Sequence, residues 1–225
     1  MFRYLKLLLL VIILPISMID SIIIRKCNNI TKHKHVAYFS KLAIKLLSYE
    51  LKVTYDESLE SNNTYVFVSN HQGTIDPAII YAAIDIPFTF VSKQENKKIP
   101  IIGSWMKTIR TITFDRNSRK GNISMLRESI SRIKEGTSIL IFPEGTRSLS
   151  NDLGEFKLGA LNIASVTKSD IVPVSLTNAF AFDKKLKVKL YIHIGKPIKY
   201  SDYKSMDMND VNELVYNTVN KNIKK

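Results

Sequence analysis

Apolar and polar positions alternate with three different periods along the chain, and each period predicts a different kind of element. Leu5 to Ile24 is almost unbroken apolar, LKLLLLVIILPISMIDSIII, with Arg3 and Lys6 at its start and Arg25 and Lys26 at its close. That length suits a membrane span or a helix lying in one leaflet and kinked at Pro15. Lys6, Pro15 and Asp20 weigh against a plain span. A cleaved leader is disfavoured because no small-x-small site follows the run. More basic residues follow the run than precede it, which places the remaining chain on the cytoplasmic side. A helix over about Lys34 to Glu50 comes next, with Phe39, Leu42, Ala43, Leu46 and Leu47 on one stripe. It reads either as a basic interfacial helix or as an ordinary core-packing one. His33 and His35 are expected to be solvated loop residues.

Beyond residue 60 the period shortens to strand-like runs separated by helical stretches. Thr64–Ser69, Phe88–Val91, Thr111–Phe114, Ser138–Phe142, Asp170–Val174 and Val188–Ile194 read as strands. Pro173 suits an edge, a bulge or a strand end, and His193 falls on the polar, exposed phase of its run. Helices are expected from Pro77, around Ile99–Met106, over Asn122–Glu135 with Gly136 as its C-terminal cap, from Phe156, and over Met208–Asn222. Strands alternating with helices predict an α/β fold: a mostly parallel central sheet flanked by helices, preceded by an N-terminal hydrophobic plus amphipathic helical segment that associates with membrane. The expected division is 1–50 for that segment and 51–225 for a catalytic domain.

Two loops after predicted strands carry candidate chemistry. In Asn70-His71-Gln72-Gly73-Thr74-Ile75-Asp76-Pro77, Asp76 is expected to cap the helix opened by Pro77. A loop returning on itself over these residues can bring the Asp76 carboxylate to one ring nitrogen of His71 and leave the other free to take a proton. In Pro143-Glu144-Gly145-Thr146-Arg147-Ser148, Gly145 permits close backbone approach to a ligand. Arg147 offers a fork of donors suited to phosphate, and Thr146 and Ser148 add hydroxyls. Arg147 pairing with Glu144 or Asp152 is the structural alternative. Lys93 and Arg116 also stand just past predicted strand ends, where parallel sheets bind ligands.

Composition narrows the partners. Lys and Arg number 33 against 20 Asp and Glu, a formal +13, which favours acidic partners such as anionic lipid headgroups. The lysines are scattered, and no aromatic-basic motif or dense basic stripe points to nucleic acid. The single cysteine, Cys27, rules out an internal disulfide framework and argues against cysteine-ligated zinc.

Asn70-His71-x4-Asp76, Phe114-Asp115-Arg116, Phe142-Pro143-Glu144-Gly145-Thr146-Arg147-Ser148 and Val172-Pro173-Val174 follow the order and approximate spacing of four motifs of the glycerolipid acyltransferases. Over about residues 60 to 175 the chain most closely resembles the 1-acylglycerol-3-phosphate (lysophosphatidate) acyltransferases. The resemblance implies transfer of a fatty acyl group from an acyl thioester, acyl-CoA or acyl carrier protein, to the sn-2 hydroxyl of lysophosphatidic acid. The product would be phosphatidic acid, at the cytoplasmic face of a membrane. It implies His71 as general base and Asp76 as its orienter. It assigns Arg147, Arg116 and Lys93 to the acceptor phosphate, and Glu144, Gly145 and Thr146 to shaping the substrate site. No cofactor, metal or covalent nucleophile is implied. The chain departs from the family pattern at Gly73, where Ser is common, and at Gln94 and Asn96, where Lys and Leu are common. The Gly73 difference is expected to be harmless. Competing readings are an acyltransferase for glycerol 3-phosphate or another lysophospholipid, a thioesterase, and a non-enzymatic basic protein of the membrane surface.

Overall fold

A computed structural model describes residues 2–114, 119–157 and 159–224. Its helices are α1 (Phe2–Ile23), α2 (Asn29–Leu46), α3 (Asp76–Ala83), α4 (Pro100–Thr108), α5 (Arg119–Lys134), α6 (Asn162–Thr167), α7 (Tyr200–Tyr203) and α8 (Met208–Lys221). Its strands are β1 (Leu51–Tyr55), β2 (Tyr65–Ser69), β3 (Phe88–Lys93), β4 (Ile112–Phe114), β5 (Ser138–Ile141), β6 (Asp170–Thr177) and β7 (Leu190–Ile194).

The strands form one sheet in the order β1-β7-β6-β2-β5-β3-β4, and every pairing is parallel except β6 with β7. The alternating side chains of β2 explain the layers. Tyr65 and Phe67 pack with Ile79 and Ile80 of α3 and Val36 and Ile44 of α2 on one face. Val66 and Val68 pack with Ile133 of α5, Ile163 of α6 and Val211 and Val215 of α8 on the other. The sheet is therefore covered on both faces, as a parallel sheet requires.

Pro173 lies inside an interior strand, between β2 and β7. Its missing N–H is accommodated by a bulge. Val174 pairs with Ile194, while the next bridge joins Ile171 to Ile198, so three steps along β6 face four on the returning chain. Gly136, at φ +77°, ends α5 as expected. Phe156 does not open a helix, because that turn is irregular and α6 starts only at Asn162.

The amino-terminal helices are built into the domain. Pro15 lies inside one continuous α1. The face of α1 carrying Ser17 and Ser21 is buried, as is Ile24 in the turn that follows it. Ser21 Oγ meets Ser104 Oγ at 2.5 Å, and Thr108 Oγ1 donates to Ser21 O at 2.7 Å, so α1 is pinned to α4. The opposite face exposes Leu8, Val11, Ile12, Ile16, Ile19 and Ile23. The stretch Leu8–Lys26 is long and apolar enough to cross a membrane. α2 begins five residues before its expected start, capped by the Asn28 side chain, which accepts from Thr31 N. This extension corrects both histidines of that region. His33 is buried against Tyr81 and Phe88, with Nε2 at 2.7 Å from Ile84 O, and His35 Nδ1 meets Asp20 at 2.8 Å across the α1–α2 pair.

Candidate active site

β2, β5, β3 and β4 run parallel and side by side, so the loops after them open along one sheet edge. His71 follows β2, Glu144 to Arg147 follow β5, and Lys93 is the last residue of β3. Arg116 lies outside the described residues.

The His71 loop is held by carboxylates. His71 Nδ1 is 2.7 Å from Asp76 Oδ2. The Asp76 side chain does not cap its own helix, for it turns back and accepts from Gln72 N at 2.7 Å and Gly73 N at 3.0 Å. His71 N donates to Glu144 Oε1 at 2.6 Å, and Thr74 N to Asp183 Oδ2 at 2.7 Å. Four successive amides, from 71 to 74, thus end on three carboxylates. On the acceptor side, His71 O takes Ser148 N and Gln72 O takes Leu149 N, which ties the two motif loops together. Asn70 clamps both backbone groups of Leu176. Gln72 bonds Ala179 N and Asn151 Oδ1.

Asp76 is fully buried, and burial pushes its carboxyl up from the ordinary range against the opposing bonds from His71, Gly73 and Gln72. Burial likewise raises Glu144, opposed by its bonds from His71 N and Gly154 N. Burial of the His71 ring is incomplete, at 17% side-chain exposure, and the ring stacks on Phe142 with centroids 4.3 Å apart. With Nδ1 donating to Asp76, Nε2 has no protein partner among the described residues and faces a cleft of about 1150 Å³.

That cleft also takes in Lys93, Gly145, Thr146 and Arg147, so the side chains at 71 and 147 share one opening. Glu144 is absent from its walls. Both its oxygens are spent on the amides of His71 and Gly154, and it is 4% exposed, so it holds the loop from behind instead of meeting a ligand. Gly145 sits at φ +68°, a conformation that disfavours any other residue. A Cβ there would come within 2.9 Å of Lys157 Nζ. Lys157 is the cation the sequence reading passed over. It lies between buried Phe156 and Gly159 and joins Lys93 and Arg147 in the cleft. None of these three forms an ion pair among the described residues, so the cleft is lined by three unspent positive charges, the chemistry that an anion would meet. The amides of Thr146 and Arg147 are also unpartnered among the described residues. A second part of the cleft is apolar, walled by Phe39, Ala43, Tyr81, Ile102 and Trp105.

Gly73 lies close against its surroundings. A Cβ at 73 would stand 2.5 Å from Asp183 Oδ2 and 3.1 Å from Ala179 O, so a larger residue there must displace the Asp183 side chain that accepts from Thr74 N. Among the described residues, His, Cys, Asp and Glu side chains make no group of three that could hold a metal ion.

The arrangement can take a proton from a hydroxyl beside a bound anion. Comparison with known proteins bears on the same region. The model of a family described as Acyltransferase matches residues 50–177. The 1-acyl-sn-glycerol-3-phosphate acyltransferase of Borreliella burgdorferi is 28% identical over 179 residues, covering 76% of this chain and 72% of that protein. The chloroplastic 1-acyl-sn-glycerol-3-phosphate acyltransferase of Arabidopsis thaliana is 36% identical over 131 residues, covering 57% of this chain. The matched stretch is only 36% of that plant protein's length. The crystal structure of the 1-acyl-sn-glycerophosphate (LPA) acyltransferase of Thermotoga maritima superposes with a TM-score of 0.80 at 22% identity, covering 98% of this chain and 92% of that one. At that identity the likeness speaks for the fold.

Proposed function

The chain belongs to the Acyltransferase family, and from that premise we propose that it transfers a fatty acyl group from an acyl thioester to the sn-2 hydroxyl of lysophosphatidic acid, yielding phosphatidic acid. One observation carries the reading: the unpartnered Nε2 of His71, backed by Asp76 at 2.7 Å, opens into the same cleft as Arg147 and Lys93.

A hydroxyl is a weak nucleophile until a base removes its proton, whereas a thioester is already activated. Nε2 takes the sn-2 proton as the hydroxyl oxygen bonds to the thioester carbonyl carbon. The buried Asp76 carboxylate stabilises the imidazolium that forms. The amide of Thr146 or Arg147 is free to donate to the oxyanion. As the intermediate collapses, the C–S bond breaks and Nε2 returns the proton to the leaving thiolate. Arg147, Lys93 and Lys157 hold the acceptor phosphate, with Arg147 supplying a planar fork. The apolar branch beside Phe39 and Trp105 receives an acyl chain. Neither cofactor nor metal has a task in these steps. The acyl donor is acyl-CoA or acyl carrier protein.

The exposed apolar face of α1, with its other face pinned to α4, supports residence in one leaflet. The catalytic domain then rests on the cytoplasmic side, with its cleft beside the lipid.

The test is thioester consumption by purified protein, with each carrier in turn, in the presence and absence of lysophosphatidate. Consumption that depends on lysophosphatidate and yields phosphatidic acid is expected. Hydrolysis indifferent to the acceptor would make the protein a thioesterase. Preference for glycerol 3-phosphate or another lysophospholipid in an acceptor panel would overturn the assignment of substrate.

A further inference from the structure

The segment from Asp183 to Lys189 is exposed at every position and reads Asp-Lys-Lys-Leu-Lys-Val-Lys. Two apolar side chains, Leu186 at 46% and Val188 at 40% exposure, stand among four lysines. Apolar side chains set among long basic ones match the chemistry of a membrane interface, which offers an apolar medium beside anionic headgroups. The stems of Lys184 and Lys185 can lie along acyl chains while their ammonium groups reach headgroup phosphates.

Its placement says which surface. At one end Asp183 accepts from Thr74 N and Thr74 Oγ1, at 2.7 and 2.6 Å, in the loop that carries His71. At the other end Lys187 donates to Leu47 O at the end of α2 and lies 4.3 Å over the Tyr49 ring. α1 returns along α2, for Asp20 meets His35, and Leu14 lines the cleft together with Phe39 and Ala43. The first turns of α1, which expose Leu8, Val11 and Ile12, therefore lie toward the α2 end that the loop touches. Lys41 and Lys45 of α2 are also exposed.

We infer that residues 184–188 form a second membrane contact, selective for an anionic bilayer surface, which is joined through Asp183 to the His71 loop. The inference rests on the reading that α1 seats the protein on a bilayer. It adds the charge selectivity and the link to the catalytic loop. The occupant is a lipid surface and not an acidic protein, because Leu186 and Val188 gain from an apolar medium beside the anionic one, and the loop touches the α2 end toward which the exposed first turns of α1 run. Lys189, which meets Glu50 at 3.1 Å, and the ammonium of Lys187, held by Leu47 O and the Tyr49 ring, are already partnered, so Lys184 and Lys185 carry the charge of the contact.

The full chain, with Cys27→Ser to remove its single thiol, is labelled with a polarity-sensitive fluorophore at Leu186→Cys or, separately, at Val11→Cys. Each is mixed with vesicles of phosphatidylcholine, with or without phosphatidylglycerol. The probe at 186 is expected to shift to the blue on anionic vesicles only. Salt weakens the shift, and Lys184→Glu with Lys185→Glu abolishes it. A blue shift at position 11 with none at 186 would overturn the second contact while leaving the α1 reading intact. No shift at either position would remove the bilayer reading and the inference together. An equal shift at 186 on neutral vesicles would overturn the charge selectivity, and a shift produced by acyl carrier protein but not by vesicles would overturn the choice of occupant.

Discussion

The His71 ring owes its position to its Nδ1 bond with Asp76 and also to bonds of its backbone. Its backbone amide ends on Glu144, and that carboxylate also takes Gly154 N. Both partners are donors, so only a group with two acceptor oxygens satisfies them. Glu144→Gln must aim its NH2 at one of the two N–H groups. A displaced loop is expected to lower kcat by roughly tenfold to a hundredfold with little change in KM for lysophosphatidate and an unchanged circular-dichroism spectrum. At Gly73 the added Cβ of Gly73→Ser meets Asp183, and the variant is expected to lose about 1–3 kcal/mol in denaturant unfolding. Asp183→Ala beside it should recover part of that loss by opening the space. Arg147→Ala removes a charge-assisted bond to phosphate, about 1.5–3 kcal/mol. The KM for lysophosphatidate should therefore rise roughly tenfold or more in steady-state assays, with kcat less affected.

Among elements, α2 shows how a helix can be visible in sequence while its packing is not. The stripe from Phe39 to Leu47 was evident, and Phe39 and Ala43 do border the cleft. The face that packs onto α3 is a different one, through His33, Val36, Ala37, Ser40 and Ile44. A polar His33 in that face breaks the apolar pattern, so periodicity alone could not find it. Its burial lowers its affinity for a proton, and Nδ1 has no partner among the described residues. Above the ordinary imidazole value, about 6.5, both folded and unfolded forms are neutral at this position. As pH falls through that value the unfolded chain takes up a proton before the folded one, so stability is lost toward acid. Chemical denaturation of the wild type is expected to show this slope below about pH 6.5. His33→Phe should lack that component while paying a pH-independent cost for the unpaired Ile84 O.

β1 was missed for a related reason. It is an edge strand, mostly exposed, and its short alternating run Leu51-Lys52-Val53-Thr54-Tyr55 follows directly on the helical pattern of α2, so it did not stand out as a separate element. β2 and β5, by contrast, are buried on both faces and announced themselves as apolar runs ended by polar loops. The same contrast holds across the whole molecule. Segments whose chemistry is local, such as His71 with Asp76 and Glu144 to Arg147, were legible because the strand, loop and helix around them follow in sequence. Contacts closed over long separations were not, and Asp183 against Thr74, Lys157 against Gly145 and Ser21 against Ser104 belong to that class. The parallel order β2-β5-β3 converts local legibility into a site by setting separate loops on one edge. α1, α2 and α4 then extend the cleft beyond that edge with Leu14, Phe39 and Trp105. A charged acceptor head and an acyl chain can thereby be held at once.

Acyl transfer to lysophosphatidate by purified His71→Ala protein, measured beside the wild type at saturating thioester, tests the assembly most directly. Loss of turnover by roughly a hundredfold to ten-thousandfold, with the wild-type circular-dichroism spectrum and unfolding midpoint retained, is the expected result. Turnover near that of the wild type would contradict the account, because the cleft would then carry out the transfer without its base.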